Sequence, residues 1–424
     1  MPNKLAEELD SAERSWGSGW LSGFIGLALA LVGLATVLCF RYPQYLVMDN
    51  LRSLYPLVWL RVALQMVLIA AFGFSLLSLV LRQKKLLGFA GVTTVLAASL
   101  LGGSQAQMQS EEFSSYFLGL DFFILNGIFL GLIFIPLERL FPSRKQEILR
   151  YEWREDLFYF LVSTIFVQIL TFLSLAPAMT VLANTGWAAG IRRLIASQPF
   201  IVQFLEIMFL TDLVQYWVHR VFHRIPWLWK FHAVHHSAQA MDWIAGSRMH
   251  LLEIIVLRGF TTLPMYVLGF AEGPLYTYIL FVYLMSVFVH SNLKLPFGWL
   301  QHWVVTPRFH HWHHGVEREA IDVNFAVHFP VFDRLFGTYF FPADGRWPTG
   351  YGIAGHPVPK GYWRQFWYPF RRTEADVPAT PQQVANDRTS SAEMPRPCRN
   401  FDRWRRRSFE EHSSGVRSPI PARE

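Results

Sequence analysis

Eight apolar stretches, each near the length needed to cross the roughly 30 Å hydrocarbon core of a bilayer, recur along this chain. Five carry almost no charge: Trp20–Phe40, Val62–Leu81, Phe122–Leu137, Leu157–Ala183 and Leu275–Leu293. Three are weaker. Leu87–Gly103 is short, Phe200–Val218 carries Glu206 and Asp212, and Ile254–Phe270 carries Arg258. Within lipid a backbone must satisfy its own hydrogen bonds, so such runs predict helices. The expected fold is an all-α, polytopic integral membrane bundle. Charged residues are only 16% of the chain, against about 25% in soluble domains. That excludes a disordered chain and an ordinary soluble enzyme. The first run is too late and too long for the apolar core of a secretory leader, and is read as a span.

Two cysteines, Cys39 and Cys398, are too few for an iron–sulfur cluster or a Cys₄ zinc site. The net charge of +7 does not predict a nucleic-acid partner. Much of it flanks apolar runs or lies in the C-terminal tail, where membrane proteins place positive charge. Arg82, Lys84 and Lys85 follow the second run, and Arg139, Arg144, Lys145, Arg150 and Arg154 lie between the fourth and fifth. The intervening Ser104–Leu118 has Glu111 and Glu112 but no basic residue. The positive-inside rule puts the basic segments in the cytoplasm. Counting onward, the stretches from about His219 and from about Lys294 are cytoplasmic too. Arg41, Arg52, Arg192 and Arg193 in the outer loops obey the rule less well.

Three regions follow. Residues 1–145 form a four-span unit with no polar cluster that reads as a site, suiting a scaffold or partner-binding bundle. Residues 146–372 hold nearly all the chemistry. Residues 373–424 are rich in Pro, Ser, Arg and Glu and read as a disordered tail. Its Arg403–Arg407 cluster suits either anionic lipid heads or plain solvation.

Ten of the fifteen histidines lie in three short boxes and at one helix end. They are His219 and His223; His232, His235 and His236; His310, His311, His313 and His314; and His290 near the end of the last run. On a helix, residues three or four apart share a face. His219 and His223 therefore point to one place, and His232 shares a face with His235 and with His236. Those two neighbours are about 100° apart, which suits two different ions. One tetrahedral zinc needs three or four protein ligands. Nine or ten convergent imidazoles would serve two five- or six-coordinate ions. Lone histidines are more simply structural, and His328, His356 and His412 are read so. Asp212 lies seven residues before His219 on the same helix face. It is a candidate to bond a ligand ring and fix its tautomer, or to pack helices. Asn324 is a candidate to hydrogen-bond near the site. His250 and His302 are ambiguous. Phe222, Trp243, Phe288 and Trp312 could line a lipid path, though core packing explains each equally well.

The boxes resemble those of the fatty acid hydroxylase / sterol desaturase superfamily, in the subgroup that contains alkylglycerol monooxygenase. The matching text runs from Asp212 through His219-Arg220-Val221-Phe222-His223 to His232-Ala233-Val234-His235-His236. It continues with Val289-His290-Ser291-Asn292, Thr306–His314, Asp322-Val323-Asn324-Phe325 and Phe332–Thr338. The resemblance implies two iron ions, O₂ as co-substrate and electrons from an external donor. By residue match the ligands would be His219, His223, His232, His235, His236, His290, His310, His313 and His314, with His311 an extra imidazole. The implied reaction is hydroxylation or desaturation of a bilayer lipid: sterol, fatty acyl or ether lipid. The chain has no His-Pro-Gly-Gly motif and no nucleotide-binding glycine loop, so a separate protein or reductant is the expected electron source. It also lacks the Glu-x-x-His pair of carboxylate-rich di-iron bundles.

Two rivals remain at this stage. A metal transporter or sensor would place its ligands along a crossing path inside the spans. A non-catalytic scaffold would keep its metal without turnover.

Overall fold

The computed structural model describes residues 4–9, 17–48, 54–108, 117–182, 189–354 and 358–371, with Arg14 and Arg52 as single positions. Glu111, Glu112, His356, Cys398, His412 and the tail 373–424 lie outside the described residues. Among the described residues the architecture is helical, with no strand beyond two isolated bridges. Among the described residues seven helices are long and apolar enough to cross a membrane, and a bent pair would make an eighth span. The chain is a multi-pass membrane bundle.

The first three spans, α1 (Trp20–Arg41), α2 (Leu57–Leu81) and α3 (Leu86–Leu100), pack on one another. Tyr42 and Pro43 stop α1, and Pro56 sits immediately before α2. Small residues set their spacing. A Cβ on Gly26 would meet the Ser75 hydroxyl at 2.5 Å, and one on Gly91 would meet it closer still. Ala30, Val37, Leu64, Leu68 and Val95 fill the seam beside them. The fourth span is α4 (Leu120–Leu140). Residues Met1–Pro369 form one compact unit.

One expected span departs from a straight helix. The Leu157–Ala183 run divides into α5 (Trp153–Ile165) and α6 (Val167–Leu182), bent by 62° at Phe166. No proline sits at the break. Instead the Ile165 carbonyl accepts from the Gly119 N–H at 3.0 Å, and the Gln168 side chain accepts from the Phe117 N–H at 2.9 Å. The entering segment takes over the Ile165 carbonyl, which a straight helix would use itself.

Five later helices carry the site. They are α7 (Phe200–Arg224), α8 (Pro226–His236), α9 (Leu251–Leu268), α10 (Glu272–His290) and α11 (Pro307–His313). Pro226 and Pro307 open α8 and α11 at positions whose N–H would be unpaired anyway. The Thr306 side chain caps α11 by accepting from the Phe309 N–H. Leu132, Phe172 and Leu280 stand 72%, 69% and 59% exposed, as lipid-facing side chains do.

Candidate metal centre

The face of α7 that carries the first box is a regular stripe: Asp212, Tyr216, His219, His223, at steps of four, three and four. It meets α8, α11 and the last residue of α10. The ring nitrogens fall into two groups. His219, His223, His232, His236 and His313 offer nitrogens within 4.8 Å of one another, and so do His235, His290, His310 and His314. The i, i+4 pairs 219/223, 232/236 and 310/314 stay together. His235 and His313, each one residue from such a pair, turn to the other group. The groups adjoin, with the His236 and His314 rings stacked at 4.4 Å.

The outer ring nitrogens fix the tautomers. Nδ1 of His219 faces the Phe325 carbonyl at 3.0 Å, and that of His313 faces Val323 at 2.7 Å. Nδ1 of His235 faces the Arg248 carbonyl at 3.0 Å, and that of His290 faces Ser286 at 2.7 Å. Carbonyls only accept, so these nitrogens are assigned the proton, and each Nε2 presents a lone pair inward. His232 and His223 turn Nδ1 to carboxylates, Glu253 at 2.5 Å and Asp322 at 3.2 Å. Yet Nε2 of His219 lies 2.9 Å from Nε2 of His232, and Nε2 of His235 lies 3.2 Å from that of His290. Two facing lone pairs repel unless a cation sits between them. Nε2 of His223 and Nδ1 of His314 are buried with no hydrogen-bond partner. Burial first, and then neighbouring imidazoles, hold His232, His236, His310 and His314 well below the usual imidazole range. The donor set is therefore neutral, nitrogen-rich and preorganised, which fits two first-row transition ions such as iron.

Asp212 reaches no histidine ring. Its carboxylate accepts from the N–H groups of Val327 (2.7 Å), His328 (3.2 Å) and Phe329 (2.7 Å). Asn324 accepts from the Phe340 N–H and donates to the Phe309 and Phe340 carbonyls. Asp333, which the sequence reading did not single out, accepts from the N–H groups of Phe325 and Ala326. These three side chains fold the 322–338 loop so that Val323 and Phe325 present carbonyls to His313 and His219. Asp322 and Asn324 hold left-handed φ values of 58° and 59°, uncommon for residues other than glycine.

His311 stands in neither group. It is fully buried, with Nδ1 2.8 Å from the Tyr351 hydroxyl and Nε2 3.3 Å from the His290 carbonyl. His250 caps α9 and bonds the Phe366 carbonyl, His302 meets the Tyr339 hydroxyl, and His328 meets that of Tyr278. Phe222 and Trp312 are buried, and Trp243 and Phe288 pack at the edge of the core formed by Leu130, Phe160 and Val287. The sequence reading also missed a buried ionic network behind His235. Arg248, whose carbonyl holds that ring, reaches Asp156 at 2.5 Å and Glu152 at 2.9 Å. Asp156 is shared with Arg150, which also holds Asp242. The acidic residues at the start of α5 were the available signal.

Comparison with known proteins gives the same region. Residues 204–338 match the family described as fatty acid hydroxylase. The chain is 30% identical over 175 residues to ornithine lipid hydroxylase OlsE of Rhizobium tropici, covering 41% of this chain and 52% of that protein. It is 30% identical over 149 residues to alkylglycerol monooxygenase of Homo sapiens, covering 35% and 32%. It is 27% identical over 161 residues to cholesterol 25-hydroxylase of Mus musculus, covering 36% and 53%. The chain thus spans about half the length of the first relative and about a third of the second. No solved structure matches it.

Proposed function

We propose, from the fatty acid hydroxylase domain at residues 204–338, that this protein is a membrane-bound non-haem di-iron oxidoreductase that hydroxylates a bilayer lipid. The observation that carries the reading is the double set of inward lone pairs, five and four, with six of the nine outer nitrogens held by carbonyls or carboxylates. Two iron ions bound there would activate O₂ with electrons from a separate donor and oxidise a lipid C–H bond.

The chain's own residues do the rest. His219, His223, His232, His236 and His313 would hold one ion, and His235, His290, His310 and His314 the other. Glu253 and Asp322 keep the Nδ1 protons of His232 and His223 in place, raising ligand basicity. The Phe325 ring lies 5.0–5.7 Å from the rings of His219, His223 and His313 and keeps water from that side. Asp212 and Asn324 act through the loop they fold, as positioning residues.

The ligands cluster at helix ends rather than along a crossing path, which favours an enzyme over a transporter. The basic segments 82–85 and 139–154 support a cytoplasmic position for the boxes. The relatives' names speak for hydroxylation rather than desaturation. They include an ornithine lipid, an alkylglycerol and a sterol substrate, so an amphiphilic lipid is the expected class.

The test is iron analysis of the purified protein, joined to mass spectrometry of lipid extracts incubated with it, ferredoxin, ferredoxin reductase and NADPH. Iron at about two per chain and an oxygen-dependent mass gain of one oxygen atom are expected. Iron-loaded protein that oxidises no lipid would overturn the reading.

A further inference from the structure

Away from the two histidine groups, a recess of about 620 Å³ opens against the first half of α7. Ile195, Leu210, Leu268, Phe270, Phe329 and Val331 are among its apolar walls. One charged side chain lines it, Glu206. Glu206 is the seventh residue of α7, roughly 9 Å along the helix from its start, and the helix is a membrane span. A carboxylate at that depth is costly without a donor.

Its surroundings supply only part of one. Among the described residues, Glu206 Oε1 accepts from the Gln198 side-chain amide at 3.0 Å. The Gln198 Oε1 is itself buried with no hydrogen-bond partner. Gln198 is held in place, because its backbone carbonyl accepts from the buried Gln203 side chain at 2.8 Å. The recess therefore combines a long apolar wall with one carboxylate, that of Glu206, at one position. It lies beyond Asp212 from the histidine end of α7. There the Val327 and Phe329 N–H groups bond Asp212, and Glu206 stands thirteen residues, roughly 20 Å along α7, before His219.

We propose that this recess is a second lipid site, binding a single-chain amphiphile whose head donates hydrogen bonds, as a long-chain amine or alcohol does. The chain lies on Leu210, Phe270 and Phe329, and the head donates to the Glu206 carboxylate, which lines the recess. This does not rest on the hydroxylase reading.

The full chain in dioleoylphosphatidylcholine nanodiscs is offered octadecylamine, octadecanol or methyl octadecanoate, and retained ligand is read by native mass spectrometry. The amine and alcohol are retained, and the ester, which has no donor, is not. Leu210→Trp and, independently, Val331→Phe abolish retention, while size-exclusion profile and helical circular dichroism stay unchanged. Glu206→Gln weakens the amine by roughly tenfold or more, from the loss of a charge-assisted bond, and leaves the alcohol bound. Equal retention of all three probes, retention of none, or retention that survives both filling variants overturns the proposal.

Discussion

Glu253, in the first turn of α9, accepts the Nδ1 proton of His232 at 2.5 Å, and both side chains are almost wholly buried. The pair ties the second box to a helix that contributes no histidine to either group. A carboxylate behind a ligand ring fixes its orientation and strengthens it as a donor, and losing one typically costs about 10–100-fold in metal affinity. Glu253→Leu should lower affinity in that range, and Glu253→Gln, which can still accept the proton, should lower it less. Titration of the stripped protein with Fe(II) against a competing chelator reads this directly. Equal affinity in wild type and Glu253→Leu would remove Glu253 from the account.

Asp212 offers a different kind of test, because it holds backbone rather than a ring. Truncation to Ala leaves the N–H groups of Val327, His328 and Phe329 without their acceptor. Each buried unpaired group costs about 1–3 kcal/mol, so Asp212→Ala should lose several kcal/mol and release the loop that carries Val323 and Phe325. Hydrogen exchange of 323–329 should quicken more than that of α10. Unchanged protection across 323–329 would count against the role.

Acid should unfold the metal-stripped protein for a reason rooted in the boxes. Burial and neighbouring rings keep His235, His236, His310 and His313 neutral in the fold well below the ordinary value of 6.5. The unfolded chain takes up those protons near pH 6.5, the fold does not, and the unfolded state is favoured as pH drops. Apparent melting temperature should therefore be flat above about pH 6.5 and fall below it. His311→Gln, which removes one more buried ring held down to about 3, should make the slope shallower by one group's share, and His236→Gln together with His310→Gln by two. A melting temperature that rises on acidification would contradict the buried, neutral state of the rings.

What could be read from the sequence was what repeats at helical spacing. The spans, the four-residue steps of the boxes and the angular separation of His235 from His236 are properties of one helix at a time. The unread parts depend on distant partners. Asp212 was read toward His219, seven residues away, but its acceptor oxygens serve a loop 115 residues on, whose fold is set by Asp333 and two left-handed residues. The bend at Phe166 has no proline to announce it, since it depends on Gly119 and Phe117 entering from another segment. Glu253 sits in an apolar run like any interfacial acid, and only the packing of α9 on α8 brings it to His232.

The last prediction separates the two ring groups and takes His311 out of both. His313 belongs to the five-ring group and His235 to the four-ring group, whereas His311 bonds Tyr351 and the His290 carbonyl. Removing one imidazole from a preorganised site leaves a buried ion with an incomplete donor set, so each loss should act first on its own ion. Iron content should drop toward one per chain in His313→Ala and in His235→Ala, with membrane insertion retained, and lipid oxidation should vanish in both. His311→Gln should keep both ions, because no inward lone pair is lost, but should lower thermal stability through the broken bond to Tyr351, by about 1–3 kcal/mol. Metal analysis beside activity checks all three. Loss of iron from His311→Gln equal to that from His235→Ala would return His311 to the ligand set.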